Sequence, residues 1–214
     1  MDADGAMATA STTSKRKRTQ RRSQAERTEA TTRHLRGTAR RLFAGDGYTA
    51  TSLDTIVEKC GLTKGAFYHH FKSKEGIFEA VFVEEQRQLA KQIIAAYETK
   101  RDPIEANFTA CRAFFDASLD PGVQRITLLD APAVLGWDRM REIEADYGLR
   151  LLEESLRAAI KAKRMAHHDV EVLAHLLFGA LCEGAMYMAR ADDQRRARRK
   201  IEREYKTLLE ALAT

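Results

Sequence analysis

The chain has little proline or cysteine and no long hydrophobic run. Its 214 residues include only three prolines, all between residues 103 and 132, and three cysteines, Cys60, Cys111 and Cys182. Because proline breaks helix interiors, its scarcity leaves room for long helices over most of the chain. Three distant cysteines without a CxxC pair predict free thiols in a reducing compartment. Without a secretory signal or an apolar run of membrane length, we expect a soluble cytoplasmic protein.

The positive charge is concentrated near the N-terminus. Residues 1–75 hold 15 Lys and Arg against 8 Asp and Glu, whereas the remainder holds 21 against 23. A basic N-terminal third on a slightly acidic body indicates a polyanionic partner for that third alone. A solvated charged segment without a partner explains the same excess equally well.

Residues 1–23 are predicted to form a disordered basic tail. The segment is rich in Ala, Thr and Ser and ends in the basic run 15–22, so it has little to bury. Such a run attracts phosphates at long range or enters a minor groove as an arm. A passive solubilising tail is an equally good interpretation.

Helical periodicity begins after the tail. Leu35, Ala39, Leu42 and Phe43 lie on one helical face, and the sequence Gly45-Asp46-Gly47 then provides a left-handed end. Similar patterns recur to the C-terminus, and no alternating strand pattern interrupts them. The sequence therefore predicts an all-α fold, with a small N-terminal domain over 24–75 and a larger helical domain over 76–214.

Two short capped helices over residues 52–71 form a helix-turn-helix pattern. Thr51–Asp54 is typical of a capping box, and the apolar face that follows ends at Gly61. Thr63 then caps a second helix, predicted to run from Lys64 to about Phe71. Two short helices joined by a glycine-containing turn place the second helix in a DNA major groove.

The second helix and its flanks carry basic, aromatic and hydroxyl side chains. Phe67 and Phe71 share the inward face, because they are four residues apart. The remaining residues suit base edges, phosphates and helix N-termini. Each residue alone is explained as an ordinary surface residue. Together they predict DNA binding. The predicted DNA-binding residues are Thr51, Thr63, Lys64, Gly65, Tyr68, His69, Lys72 and Lys74.

The segment Arg41–Ile56 and the segment Gly61–Phe78 resemble the DNA-binding domain of the tetracycline-repressor (TetR) family. The resemblance covers roughly residues 33–82. It implies a homodimer, usually a repressor, whose C-terminal helical domain binds a small effector. It also implies that seven residues match DNA-contacting positions: Thr51, Thr63, Lys64, Gly65, Tyr68, His69 and Lys74. His70 matches a position that contacts phosphate or packs against the scaffold. The long basic tail is a departure from many members.

The body, residues 76–214, is predicted to continue as helices over 102–119, 124–130, 136–163, 170–189 and 195–212, with an interruption at Pro132. Apolar residues on these helices form either plain core or the wall of a ligand pocket. The candidate pocket residues are Phe108, Cys111, Phe115, Trp137, Met140, Tyr147, Phe178 and Cys182.

The last two helices carry apolar stripes that fit a dimer interface made as a four-helix bundle. Packing within one chain explains the same stripes. The candidate interface residues are Leu173, Leu177, Ala180, Leu181, Gly184, Tyr205, Leu208 and Leu212. His167, His168 and His175 lack a fourth ligand at motif spacing, so no metal and no cofactor is expected.

These features predict a ligand-responsive transcriptional regulator, preferably a repressor, that binds a palindromic operator as a homodimer. An alternative is a sequence-tolerant architectural DNA binder that depends on the basic tail. An enzyme is not expected, because the sequence has no nucleophile elbow and no phosphate-binding glycine loop.

Overall fold

The computed structural model describes the backbone of residues 7–213 and the side chains of residues 24–213. Within these limits the fold is all-α, as the sequence predicted. The helices are α1 (Met7–Asp46), α2 (Leu53–Lys59), α3 (Lys64–Tyr68), α4 (Lys74–Tyr97), α5 (Pro103–Ala117), α6 (Pro121–Val123), α7 (Ala131–Leu135), α8 (Trp137–Glu144), α9 (Arg150–Lys161), α10 (Val170–Ala189) and α11 (Gln194–Leu212). Over residues 7–22 the backbone of the predicted disordered tail is helical as part of α1, and the side chains of the tail lie outside the described residues.

Hydroxyl and carboxylate side chains begin most of these helices. Ser52 accepts a hydrogen bond from the backbone N–H of Thr55, and Ser73 accepts one from Gly76. Asp102 and Asp169 cap α5 and α10 in the same way. These bonds satisfy N–H groups that have no partner inside the helix. The expected capping box at Thr51 is wrong in detail, because Ser52 is the capping residue.

Two π-helical segments join the short helices of the body. Gln124–Asp130 connects α6 to α7, and Ala145–Leu149 connects α8 to α9. The prediction that Pro132 interrupts the first of these stretches is wrong. Pro132 lies in the first turn of α7, where a missing N–H breaks no hydrogen bond of that helix.

Two buried clusters divide the molecule. The N-terminal cluster packs α1–α4 around Phe43, Phe67 and Phe78, and the body cluster packs α5, α9, α10 and α11. The N-terminal cluster also takes up Ile126 and Met140 from the body. Helix α4 runs continuously through the predicted domain boundary at residue 75, so the DNA-binding domain and the body share a helix and part of a core.

Helix α10 is long and apolar enough, by length and composition, to cross a membrane, which the sequence analysis did not anticipate. Core helices of soluble proteins pass the same test. Only 33% of its most apolar window is buried within this chain. Packing within one protomer therefore does not account for most of the apolar surface of α10.

Candidate functional site

The helix pair α2–α3 has the geometry of a helix-turn-helix. Gly61, in the turn, adopts a φ of 63°, a left-handed conformation that side chains with a Cβ rarely take. Thr63 accepts a hydrogen bond of 3.1 Å from the N–H of Ala66 and so begins α3. Phe67 is fully buried and anchors α3 to the N-terminal cluster. Helix α3 ends at Tyr68, earlier than predicted, although Phe71 still packs on Phe67.

One face of α3 and its flanks is open to solvent. Tyr68 is 54% exposed although it is a large aromatic residue. Lys64 forms an ion pair of 2.8 Å with Asp54, and this hydrogen bond raises the pKa of Lys64. The predicted DNA-binding residues on this exposed face are Thr63, Lys64, Gly65, Tyr68, His69 and Lys72. Six of the nine predicted residues are therefore exposed on α3 or within four residues of its ends.

The other three predicted residues make hydrogen bonds within the N-terminal domain. The buried Thr51 donates its hydroxyl hydrogen bond to the carbonyl of Gly47 at 2.8 Å. His70 is hydrogen-bonded through Nδ1 to the hydroxyl of Thr32 at 2.9 Å, which ties the end of α3 to α1. Lys74 donates from Nζ to the carbonyls of Tyr48 and Thr51 at 2.9 and 3.0 Å. Sequence spacing could not reveal the bonds of His70 and Lys74, because their partners come from other elements.

The loop that precedes α2 is also tied to the body. Asp130 accepts a hydrogen bond of 2.9 Å from the backbone N–H of Tyr48. Gly47 has a φ of 83°, and a Cβ added there would lie 2.9 Å from a guanidinium nitrogen of Arg125. The π-helical segment that carries Arg125 and Asp130 therefore lies directly against the loop before the helix-turn-helix.

The body contains a cavity of about 410 Å³ between α4, α5, α9, α10 and the first π-helical segment. Of the predicted pocket residues, Cys111, Phe178 and Cys182 line this cavity. The other five lie elsewhere. Met140 and Tyr147 belong to the N-terminal cluster, and Trp137 is 60% exposed. The remaining two belong to the body cluster, Phe115 as a buried member and Phe108 at its edge.

Sequence reasoning missed much of the cavity wall. Helix α4 contributes Gln86, Ile93 and Tyr97, and Asn107 and Ser155 face the cavity from α5 and α9. One signal was present in the sequence, because Gln86 interrupts the apolar helical face of α4 that includes Phe82 and Leu89. A polar residue on such a face is unusual in a plain core.

The two cysteines of the cavity wall are protected thiols. Burial raises the pKa of Cys111 to about 12 and that of Cys182 to about 11. Tyr205 lies beside Cys111, and its buried hydroxyl has no hydrogen-bond partner of normal geometry among the described residues. Burial is also the main cause that raises the pKa of Tyr205. These groups are therefore neutral near pH 7.

The predicted dimer residues divide between the inside and the outside of the chain. Leu177, Leu181, Gly184 and Tyr205 are buried within the protomer. Leu173, Ala180 and Leu212 are half-buried, and Leu208 is 51% exposed. On the outer face of α10, Val172, Leu176 and Tyr187 are 54%, 67% and 51% exposed, and the predicted apolar face included Leu176 but neither Val172 nor Tyr187. The spacing of these three residues follows the helical period, and we refer to them together with the exposed Leu208 of α11 as the outer stripe.

Among the described residues, no group of three or more His, Cys, Asp or Glu side chains is arranged to hold a metal ion.

Two family models match most of the chain. The model described as bacterial regulatory proteins, tetR family, matches residues 35–81, and the model described as tetracyclin repressor-like, C-terminal domain, matches residues 104–212. The transposon Tn10 TetC protein of Escherichia coli is 31% identical over 160 residues, which span 73% of this chain and 79% of the relative.

Solved structures show the same arrangement. A TetR-family transcriptional regulator from Pectobacterium atrosepticum has a TM-score of 0.77 and 31% identity, covering 88% of this chain and 97% of its own. RolR in complex with resorcinol, at 19% identity and a TM-score of 0.66, covers 86% of this chain and 95% of its own, and shows the fold alone.

A helix-turn-helix with an exposed polar face, fused to a helical body, defines a DNA-binding transcription regulator. The chain belongs to the TetR family of bacterial transcriptional regulators.

Proposed function

We propose that this regulator binds a palindromic operator as a homodimer, represses transcription, and is released by a small molecule that occupies the cavity of the body. The exposed face of α3 carries this proposal. Its six clustered residues present hydroxyl, ammonium, imidazole and aromatic groups around Tyr68, and Gly65 leaves room for close approach of the backbone to DNA.

The outer apolar stripe of α10 and α11 supports dimerisation. Four large hydrophobic side chains, Val172, Leu176, Tyr187 and Leu208, are each more than half exposed. Exposed apolar surface of this kind is typical of protein interfaces. Pairing α10 and α11 with their copies in a second subunit would form a four-helix bundle and cover the stripe. It would also present two α3 helices to two half-sites about one DNA turn apart.

The shared helix α4 supports release by an effector. Its first residue, Lys74, holds the loop before the helix-turn-helix, and Gln86 and Tyr97 on the same helix line the cavity. A ligand that binds better to one arrangement of α4 shifts the population toward that arrangement. We infer that the shift changes the spacing of the two α3 helices and lowers operator affinity.

Selection of bound duplexes from a random DNA pool tests the proposal. We expect a palindromic consensus for the wild type and its loss in Tyr68→Ala. Trp137→Ala is the matched control, because it removes an exposed aromatic side chain from the body.

The alternative architectural binder predicts a different result, namely no consensus and retention that disappears as salt rises. Deletion of residues 1–22 separates the two further. The deletion abolishes DNA binding if the tail drives that binding, and it only weakens DNA binding if α3 reads the sequence.

A further inference from the structure

Gln86 is a buried polar group without a protein partner in the cavity wall. It is only 6% exposed, it lines the cavity, and its amide makes no hydrogen bond to any of the described residues. Among the described residues, the only fully buried side-chain polar atom without a partner is the Tyr205 hydroxyl, so the unpartnered amide of Gln86 borders the open space of the cavity. The group therefore indicates a hydrogen-bonding partner that is not part of the protein.

The other buried amide and hydroxyl side chains of the wall already have partners within the protein. Asn107 donates to the carbonyl of Pro103 at 3.3 Å and accepts from Ser155 at 2.7 Å. The hydroxyls of Ser118 and Thr127 donate to carbonyls of their own helical segments at 2.8 and 2.7 Å. The side-chain amide of Gln86 can thus donate a hydrogen bond to a ligand and accept one from it, whereas the other buried amide and hydroxyl groups already bond within the protein.

The interior of the cavity carries no unpaired charge. Its described lining contains no Lys, Arg or His, and its three carboxylates belong to Glu98, Glu144 and Glu154. Glu98 and Glu154 are exposed. The buried Glu144 forms an ion pair of 3.0 Å with Arg141, although burial is the larger effect and raises the pKa of Glu144. An anionic ligand group would therefore lose water without gaining a counter-ion, and a cationic one would find carboxylates other than Glu144 only where the wall is exposed, at Glu98 and Glu154.

The remaining wall is apolar. Tyr97, Phe114 and Phe178 contribute aromatic surface, and aliphatic side chains of α4 and α9 contribute most of the rest. A volume of about 410 Å³ is at the lower end of the range for small-molecule pockets, roughly 300–1,000 Å³. The occupant is accordingly a small molecule with a predominantly apolar body.

We propose that the cavity binds an uncharged, mainly apolar molecule whose hydroxyl, carbonyl or amide group hydrogen-bonds to the side chain of Gln86. This inference rests on the proposed function, in which the cavity is the effector site. It adds the ligand class and the recognising residue. Because Gln86 belongs to α4, the same hydrogen bond would act on the helix that reaches the helix-turn-helix.

Competition in solution tests the ligand class on the full-length protein without DNA. N-phenyl-1-naphthylamine is an uncharged apolar fluorophore that reports occupancy of such a cavity. The competitors are 1-octanol, octanoate and octylammonium at pH 7.5, which share one apolar chain and differ in the head group. We expect 1-octanol to displace the fluorophore at a concentration at least tenfold lower than either ion. Equal or stronger competition by octanoate or octylammonium would overturn the proposal.

Two variants of α4 test the recognising residue. Gln86→Leu should retain fluorophore binding within twofold and weaken 1-octanol binding about three- to tenfold, the range of one net hydrogen bond. Gln92→Leu makes the same change on the solvent-exposed side of α4 and should alter neither. Gln86→Met, which keeps a flexible chain of similar length, serves if the leucine variant does not fold. Unchanged 1-octanol affinity in a folded Gln86 variant contradicts the assignment.

Operator binding by the same preparations separates this proposal from the proposed function. A protein that selects a palindromic duplex but shows no preference for 1-octanol refutes the ligand class alone. A protein that prefers 1-octanol but selects no duplex refutes the regulator proposal and leaves the chemistry of the cavity intact.

Discussion

The carboxylate of Asp130 accepts a 2.9 Å hydrogen bond from the backbone N–H of Tyr48. These residues are 82 positions apart in the chain, one in the π-helical segment of the body and the other in the loop before α2. The same segment contributes Thr127 and Leu128 to the cavity wall. A change in the cavity can therefore reach the DNA-binding domain by a second connection besides α4.

Asp130→Ala should loosen this connection. Removing the acceptor leaves the Tyr48 N–H without its partner, and we expect a loss of about 1 kcal/mol in the free energy of unfolding. Hydrogen exchange of the Tyr48 amide should accelerate several-fold. Asp146→Ala, at an exposed carboxylate of the body, is the control and should change neither measurement. Unaltered exchange at Tyr48 in Asp130→Ala would contradict this role.

Lys74 and Lys72 should respond differently to removal of their charge. Lys74→Met removes two hydrogen bonds and the contact of Nζ with the Tyr48 ring at 4.0 Å, so stability should fall by about 1–3 kcal/mol. Lys72→Met should leave stability unchanged and lower the salt dependence of operator binding, by roughly 0.9 in log–log slope for each subunit. Thermal unfolding and binding titrations at several salt concentrations measure both effects. The reverse pattern would show that Lys74 is the phosphate contact.

Leu176→Glu should separate the proposed dimer. The side chain is 67% exposed in the protomer, so the substitution is tolerated in the isolated chain. In a four-helix bundle it buries a carboxylate in place of a leucine, and we expect the dimer dissociation constant to rise at least roughly 100-fold. Light scattering over a concentration series measures this constant.

Leu129→Glu is the control for the dimer test, because Leu129 is also half exposed but lies in the π-helical segment, away from the outer stripe. An unchanged oligomeric state in Leu176→Glu would place the interface elsewhere.

The three thiols should react at different rates in the folded protein. With a pKa of about 12, Cys111 is ionised at pH 8 in only about one molecule in ten thousand, and thiolate is the reactive form. Cys182, with a pKa of about 11, should also react slowly. Cys60 is only half-buried and should react first.

Titration with a disulfide reagent measures these rates, and both slow thiols should react faster as pH rises. Cys60→Ala is the control and should remove the fast phase. An occupant of the cavity should slow Cys111 and Cys182 further. Three equally fast thiols would show that the cavity wall opens readily.

The sequence predicted the helix-turn-helix in near-final form. Ser73, Asp102 and Asp169 cap helices where hydroxyl and carboxylate residues precede apolar periodicity, and Gly47 and Gly61 adopt the left-handed conformations expected at helix ends. These features depend on interactions within a few residues, and such interactions are encoded locally. The exposed face of α3 followed from the same periodicity.

Tertiary structure alone decided which polar side chains are hydrogen-bonded to distant parts of the protein and which are exposed to solvent. Lys64 and Lys74 look alike in the sequence, yet Lys64 is exposed and pairs only with the exposed Asp54, whereas Lys74 donates to two carbonyls of a distant loop. Likewise, α10 carries apolar residues around much of its circumference, so periodicity could not assign Leu177 to the inside and Leu176 to the outside. Local spacing determines which helices form, but the partners of a side chain depend on how distant helices pack, and only the folded chain brings those helices together.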